Sequence, residues 1–334
     1  MEQATNIQSP VSVSETMKLV LLALTPGIFL FFYLNGWGIV INIALAVLSA
    51  IAFETIAQML RKRSPATALS DYSAVVTAVL IALCLPPLIP WWIPVLACGF
   101  AIVLAKHIFG GIGNNLFNPA MVGYAIVLVS FPADLSLWLH QPVGFSVSLT
   151  DSLKAAFQGG LTVIPQWDAM TGATALDQHR TLTLQNKPLT DINLQTMGVF
   201  GARHGEWINL AYLVGGLWML QKRIINWHIP VSFLGALLLA MLLHKLLHPA
   251  SLSIPVNLFG GATMLGAFFI STDPVSAAAS SRGRIIYGGL TGFLVYLIRV
   301  YGAYPDSIAF AVLLANCTVP TIDRLDIRLS RSRQ

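Results

Sequence analysis

The stretch that decides the fold is residues 39–60, IVINIALAVLSAIAFETIAQML, in which Glu54 is the one charged side chain. As an α-helix with a rise of about 1.5 Å per residue, this segment is roughly 33 Å long. That length matches the hydrocarbon core of a bilayer, which is about 30 Å thick. Residues 39–60 therefore predict a transmembrane helix.

Apolar stretches of similar character recur along the whole chain. Its 334 residues are 56% hydrophobic and 10% charged, with a mean hydropathy of +0.73, whereas about a quarter of the residues in soluble domains are charged. This composition excludes a soluble fold and predicts an all-α integral membrane protein with about ten transmembrane helices. The predicted spans are residues 18–34, 39–60, 67–85, 91–107, 117–132, 207–221, 228–247, 257–272, 284–301 and 303–320.

Lysine and arginine residues predict the orientation, because short loops rich in these residues stay on the cytoplasmic side. Both termini are therefore predicted to be cytoplasmic and the long polar loop, residues 133–206, to face outward. The net charge of +5 comes mostly from the basic flanks of the spans, so it indicates membrane orientation and not nucleic-acid binding. Every basic cluster falls on one side of the predicted bundle, and the clusters are Arg61 to Arg63, Lys106, Lys222 and Arg223, Arg282 and Arg284, and Arg324 to Arg333.

The polar loop divides the chain into two halves. Residues 1–132 form the first half, residues 207–320 form the second half, and residues 321–334 form a basic tail. An odd number of spans in each half forces the second half to run inverted relative to the first, an arrangement common in transport folds. Residues 73–87 and 261–274 resemble each other, since both are short apolar segments that open on small residues and close at proline. They predict a short, discontinuous helix in each half, which brings polar backbone into the membrane.

Acidic residues within the predicted spans are the first functional candidates. Glu54, Asp71 and Asp273 lie within or beside spans, and Asp306 lies near the outer end. A carboxylate inside a bilayer costs about 2.5–3.5 kcal/mol on insertion scales unless it faces a cavity or a partner, so Glu54 and Asp273 are candidates for an ion or proton path. Two structural alternatives stay open: an interfacial position for Glu54, about two turns before Arg61, and capping of a broken helix by Asp273.

The second candidate is the run DAMTGAT, residues 168–174, in the polar loop. The hydroxyl of Thr174 lies between the small residues Ala173 and Ala175, and Gly172 permits a tight turn. Such a hydroxyl is accessible to a modifying enzyme and leaves room for a bulky adduct. Composition alone predicts an ordinary turn.

This run resembles the flavinylation motif of the RnfD and NqrB family, integral-membrane subunits of ion-translocating electron-transport complexes. The resemblance covers nearly the whole chain and is closer to RnfD than to NqrB, which has a longer N-terminal segment. The other segments that resemble the family are residues 109–121 (FGGIGNNLFNPAM), 261–269 (GATMLGAFF), 272–275 (TDPV) and 302–306 (GAYPD).

The resemblance implies a covalent cofactor. In the family, a dedicated transferase outside the cytoplasm attaches FMN through its phosphate to the last hydroxyl of the motif. Carried onto this sequence, the acceptor is Thr174, and Asp168, Thr171, Gly172 and Ala173 are recognition residues.

A second run, residues 260–263 (GGAT), has a similar sequence. It has Asn257 where the motif would place its aspartate, and it lies at the start of an apolar span. We interpret it as helix packing by small residues, so Thr263 is not expected to be modified.

The glycine- and asparagine-rich run 110–118 is the third candidate. Glycines let a planar ring approach the backbone, and asparagine amides satisfy the polar edge of such a ring. The resemblance implies a second, non-covalent flavin, riboflavin, and Gly110, Gly111 and Asn114 are candidates for holding it. Helix capping and close packing are the alternatives for each of the three.

Histidine and cysteine residues offer weaker signals. His244 and His248 are four apart and suit a metal in principle, but a solvated helix end is the preferred interpretation. Cys84, Cys98 and Cys317 lack paired metal-ligand spacing and are interpreted as small apolar core residues. No metal site is predicted.

Taken together, the resemblance implies a multi-pass subunit of an Rnf-type complex in the bacterial inner membrane, with the loop in the periplasm. Such a complex couples electron transfer between ferredoxin and NAD to the movement of Na⁺ or H⁺, and its subunits do not complete the cycle alone. The implied partners are the other Rnf subunits, the FMN transferase and the lipid bilayer. The alternative is a secondary transporter or channel that uses the inverted repeats and has no redox cofactor.

Overall fold

The structure is a computed structural model that describes residues 12–111, 113–139, 147–159, 171–185, 197–201, 203, 205–249, 251, 253–304 and 306–331. The first half contains α1 (Val13–Asn35), α2 (Gly38–Leu60), α3 (Pro65–Leu69), α4 (Ser73–Cys84), α5 (Trp92–Gly99) with its π-helical continuation π1 (Phe100–His107), and α6 (Pro119–Ser130). The loop region contains α7 (Pro132–Leu135), β1 (Trp138–Leu139), α8 (Leu149–Gln158), β2 (Thr171–Gly172) and α9 (Ala175–Leu184). The second half contains α10 (Gly205–Gln221), α11 (His228–Leu247), α12 (Ile254–Phe259), α13 (Thr263–Leu265) with its π-helical continuation π2 (Gly266–Ile270), α14 (Ser281–Tyr301) and α15 (Ile308–Arg331).

The helical, membrane-type fold predicted from the sequence is confirmed. Helices α1, α2, α11, α14 and α15 are each long and apolar enough to cross a bilayer, and α4, α5 with π1, and α6 are shorter apolar helices. The predicted last span ends at Pro320, and α15 continues through this residue to Arg331. Proline removes one helical hydrogen bond without necessarily ending a helix, so the first part of the predicted basic tail is helical.

Both halves contain the predicted discontinuous helix. In the first half, the chain breaks between α3 and α4, where Tyr72 has φ of 60°; in the second half, it breaks between α12 and α13, where Gly261 has φ of 57°. This left-handed conformation interrupts a right-handed helix. The inner segments that follow, α4 and α13 with π2, consist almost entirely of buried residues. Their irregular backbone is therefore enclosed by protein, as the hydrocarbon core of a membrane requires.

The two halves pack in opposite orientations. Equivalent helices meet across the molecule, since α1 packs against α10 and α6 packs against α15. One internal cavity contacts the start of α1 at Thr16 and the end of α10 at Met219. A second cavity contacts the end of α1 at Asn35 and the start of α10 at Gly205. Helices α1 and α10 therefore run antiparallel, as the predicted inversion requires.

The two ends of the bundle differ in charge. We call the end at which α1 begins the basic end, because Arg61, Lys62, Lys222 and Arg284 lie at helix termini there. We call the opposite end, where α9 and the β1–β2 pair lie, the loop end. The cavity at the basic end and the cavity at the loop end are named accordingly.

Candidate functional site

Thr174 is the N-cap residue of α9. Its Oγ1 accepts a hydrogen bond from the Asp177 backbone N–H at 3.2 Å and donates to Asp177 Oδ2 at 2.6 Å. The same carboxylate oxygen accepts the Thr174 backbone N–H at 3.2 Å, which completes a reciprocal capping box. The hydroxyl is therefore held in one place at the positive end of a helix dipole.

The residues before Thr174 are fixed from the other side. Thr171 and Gly172 form β2, which pairs antiparallel with β1 so that Gly172 faces Trp138. The Ala173 carbonyl accepts from the Gln178 side chain at 3.0 Å. The structure thus places Thr171, Gly172, Ala173 and Thr174 in one anchored segment, and Asp168 lies outside the described residues.

The loop-end cavity opens beside Thr174 and has a volume of about 320 Å³. Most of its lining is apolar with a few polar groups, the usual composition of a small-molecule site. Two polar atoms in this lining, Tyr212 Oη and Asp306 Oδ1, are buried without a hydrogen-bond partner in the described part of the chain. Further lining residues are Leu83, Tyr124, Leu128, Trp138, Leu139, Asp177, Asn209 and Leu265.

Asp306 gives this cavity an acidic wall. The backbone N–H groups of Ala262 and Ile308 donate to this carboxylate. Asp306 therefore joins the second broken helix to the start of α15.

Thr263 has a different environment from Thr174. It is fully buried, donates to the carbonyl of Asn257 or Gly260, and accepts from Arg299 Nη2 at 2.8 Å. Arg299, itself 5% exposed, also donates to the Asn257 carbonyl. The sequence alone indicates helix packing by small residues in this run, and the structure adds a buried arginine, Arg299, that crosslinks the break between α12 and α13.

Glu54 lies in a buried hydrogen-bond network at the basic end. The residue is 0% exposed, and its Oε2 accepts from Lys106 Nζ at 2.9 Å. Its Oε1 accepts from Gln58 Nε2 at 3.1 Å and lies 3.1 Å from His107 Nε2, whose N–H is not aligned for a hydrogen bond. The Glu54 carboxylate is therefore paired inside the protein, near the end of α2.

Lys106 connects Glu54 to a second acidic residue. Its Nζ donates to Ser73 Oγ at 2.9 Å, and the Ser73 hydroxyl donates to Asp71 Oδ1 at 2.6 Å. Asp71 also accepts the Ser73 backbone N–H at 2.7 Å. Hydrogen bonds thus link four side chains in series, and these are Glu54 in α2, Lys106 in π1, Ser73 at the start of α4 and Asp71 in the break before α4.

The basic-end cavity adjoins this series of hydrogen-bonded side chains and has a volume of about 230 Å³. Its floor is apolar, with Phe268 and Phe269 from π2, while Lys106 and Ser73 lie in its wall. Asp273 also lines it, and Asp273 Oδ2 accepts from the Ser276 hydroxyl at 2.6 Å and from the Ser276 backbone N–H at 3.2 Å. Asp273 therefore caps the turn that follows the second broken helix, as the capping alternative predicts. The Asp273 side chain also lies beside the cavity.

The glycine- and asparagine-rich run reaches this cavity through Asn115 and Asn118. Asn118 is the N-cap of α6 and also donates from Nδ2 to the Ile270 carbonyl at 3.0 Å. Gly110 and Gly111, at φ of 110° and 105°, turn the chain away from π1. Neither they nor Asn114 belong to the described cavity lining. The residues of this run that line the cavity are Asn115 and Asn118, which the sequence analysis does not select.

The weaker candidates from the sequence are two histidines, His244 and His248, and three cysteines. His244 Nδ1 lies 3.2 Å from the Tyr296 hydroxyl, and the rings of His244 and His248 are 4.8 Å apart. Within the described ranges, no three histidine, cysteine or acidic side chains are grouped to hold a metal ion. Cys84 and Cys98 are buried and Cys317 is exposed, and all three are free thiols.

Lys106 and Arg299 are the important residues that sequence reasoning does not identify. Charge statistics place Lys106 with the basic flanks, and Arg299 falls inside an apolar span. The inverted repeat contains a signal for both. Each cation contacts the hydroxyl residue that opens the inner helix of its own half, Ser73 for Lys106 and Thr263 for Arg299.

Comparison with known proteins gives a consistent result. A model of the NQR2, RnfD, RnfE family matches residues 1–329. The D subunit of the ion-translocating oxidoreductase complex from Aeromonas salmonicida (strain A449) is 48% identical over 322 residues, covering 92% of this chain and 91% of that protein. The equivalent protein from Salmonella typhi is 46% identical, covering 93% and 92%. The equivalent protein from Vibrio cholerae serotype O1 is 45% identical over 330 residues, covering 95% and 94%.

Proposed function

The chain belongs to the NQR2, RnfD, RnfE family, and from that membership we propose that it relays electrons through two flavins inside its complex. It is a subunit of an ion-translocating oxidoreductase complex, as its relatives are. The proposal adds that the complex transfers electrons between ferredoxin and NAD and couples this transfer to movement of Na⁺ or H⁺. It also places the basic end in the cytoplasm and the loop end in the periplasm of a bacterial inner membrane.

The observation that supports a covalent FMN is the position of Thr174 at the mouth of the loop-end cavity. Its hydroxyl lies at the N-terminus of α9, where the helix dipole and backbone N–H groups stabilise a phosphate. The cavity beside it is apolar enough for a flavin ring, and Tyr212 Oη and Asp306 Oδ1 offer polar atoms to the edge of that ring. When bound, FMN supplies one- and two-electron redox chemistry, while the protein positions it and excludes water.

The basic-end cavity is the corresponding site for riboflavin. Phe268 and Phe269 offer surfaces for packing against a planar ring, and Lys106, Ser73 and Asn115 offer hydrogen bonds to its polar edge. Both cavities contact α1, α4, α6 and α10. On α4, Leu80 faces one cavity and Leu83 faces the other, a separation of about one helical turn. This short separation supports direct electron exchange between the two flavins.

In-gel fluorescence tests the covalent site. The complex is expressed with its FMN transferase, and we expect the wild-type protein and Thr174→Ser to fluoresce, because both keep the hydroxyl. Thr174→Ala should be dark. Thr263→Ala is the matched control and should fluoresce, since Thr263 is fully buried. Fluorescence retained by Thr174→Ala would place the flavin elsewhere.

A further inference from the structure

Hydrogen bonds link the side chains of four residues in series at the basic end, in the order Glu54, Lys106, Ser73 and Asp71. Glu54 is a buried carboxylate, Lys106 and Ser73 line the basic-end cavity, and Asp71 is a half-buried carboxylate. We propose that Ser73 and Asp71 deliver protons to Lys106, which donates them to the ring bound in the basic-end cavity when that ring is reduced. The inference rests on the proposed riboflavin site and names the residues that make reduction there proton-coupled.

Hydrogen-bond geometry supports the relay. The Lys106 Nζ to Ser73 Oγ distance is 2.9 Å and the Ser73 Oγ to Asp71 Oδ1 distance is 2.6 Å, so a proton crosses only two short hydrogen bonds. Lys106 and Ser73 both line the cavity. Lys106 is 3% exposed.

Glu54 holds Lys106 in position. Its Oε2 lies 2.9 Å from Lys106 Nζ, and both side chains are buried. Glu54 is therefore a positioning residue. Other charged or titratable groups around the pair are His107 and Arg61 beside Glu54, Asp71 beyond Ser73, and Asp273 and Arg284 in the cavity lining.

Each proton transfer in the relay balances. Two-electron reduction of an isoalloxazine ring takes two electrons from the one-electron carriers of the complex and binds protons. One N–H bond breaks at Lys106 Nζ, and one N–H bond forms on the ring. In the structure Lys106 Nζ donates to Ser73 Oγ and Ser73 Oγ donates to Asp71 Oδ1, so return of the proton requires these hydrogen bonds to reverse. The Asp71 carboxylate first takes a proton from water at the basic end, and the Ser73 hydroxyl then turns and donates its proton to the lysine amine as it takes one from Asp71.

Two variants interrupt the relay and keep the ion pair. Ser73→Ala removes the hydroxyl between Lys106 and Asp71. Lys106→Arg keeps a cation beside Glu54, but a guanidinium does not release its proton in proteins. Thr55→Val is the matched control, because Thr55 lies on α2 next to Glu54, its hydroxyl donates to the Ile51 carbonyl, and it does not belong to the cavity lining or to the relay.

The measurement uses the assembled complex in a Thr174→Ala background, where riboflavin is the one flavin of this protein. Riboflavin content is measured by extraction, and proton uptake during stepwise reduction is followed with a pH-indicator dye. We expect Ser73→Ala and Lys106→Arg to keep riboflavin and slow proton uptake at least tenfold, with Thr55→Val unchanged.

Three other results would overturn the relay. Unchanged uptake in both variants with riboflavin present would refute it directly. Loss of riboflavin from both variants would assign these residues to ring binding instead. Absence of riboflavin from the Thr174→Ala parent would show that the proposed second flavin is wrong, and it would refute the relay as well.

Discussion

Breaking the buried ion pair between Glu54 and Lys106 should destabilise the protein strongly, and removing both charges should not. Lys106→Met leaves the Glu54 carboxylate, 0% exposed, with the Gln58 amide at 3.1 Å as its remaining hydrogen-bond donor. Removing one partner of a buried pair costs about 3–5 kcal/mol, because an uncompensated charge stays in a low-dielectric interior. Glu54→Gln exposes the Lys106 ammonium to the same penalty.

The double variant Glu54→Gln with Lys106→Met removes both charges. Replacing a buried pair by neutral side chains of similar size is often neutral or stabilising. The double variant should therefore be more stable than either single variant. The coupling energy obtained from the double-mutant cycle should be at least about 3 kcal/mol.

Thermal unfolding in detergent, followed by far-ultraviolet circular dichroism, measures this effect. At about 2–4 °C per kcal/mol, a loss of 3 kcal/mol lowers the midpoint by roughly 6–12 °C. Lys222→Met is the control, because Lys222 is an exposed cation at the same end and its removal should change stability by less than about 0.5 kcal/mol. Additive destabilisation in the double variant would refute the reasoning.

Two further predictions concern α9. Asp177→Ala removes the capping box of Thr174, which should cost about 1 kcal/mol and raise amide hydrogen exchange of residues 175–184 roughly fivefold; unchanged exchange would mean that the cap contributes nothing. Burial, with the nearby His244 and Arg180, lowers the pKa of His179 below its usual 6.5. As pH falls below 6.5, the unfolded segment therefore binds more protons than the folded one, and the stability of α9 should decrease. His179→Gln should remove this pH dependence of amide exchange, and a wild-type profile in that variant would contradict the assignment.

Much of the fold follows from the sequence for clear physical reasons. Apolar length alone predicts segments such as residues 39–60, because a bilayer imposes a minimum helix length. The similarity between residues 73–87 and 261–274 predicts the two broken helices. The end of α15 is not predictable in this way, since nothing local to Pro320 distinguishes a proline that ends a helix from one that the helix accommodates.

The candidate site is predictable from the sequence only in part. A local motif marks some of its residues, whereas periodicity and charge statistics do not show which distant side chains meet. The motif predicts Thr174 as the flavin acceptor, and the structure shows that this residue caps α9 beside a cavity. Lys106 resembles a flanking cation because positive-inside statistics report where a lysine lies along the chain and not the direction of its side chain. Its partner Ser73 is 33 residues away. Such long-range contacts are set by packing of the two broken helices against their neighbours.

The central claim is tested most directly by the mass of the tryptic peptide that spans residues 155–180, which contains Thr174 and ends at Arg180. The peptide is taken from the mature complex after denaturation. Ester formation joins the phosphate to Thr174 with loss of one water, so we expect the peptide mass plus one FMN minus one water, with fragmentation locating the addition at Thr174. An unmodified peptide from fully matured complex would contradict the account.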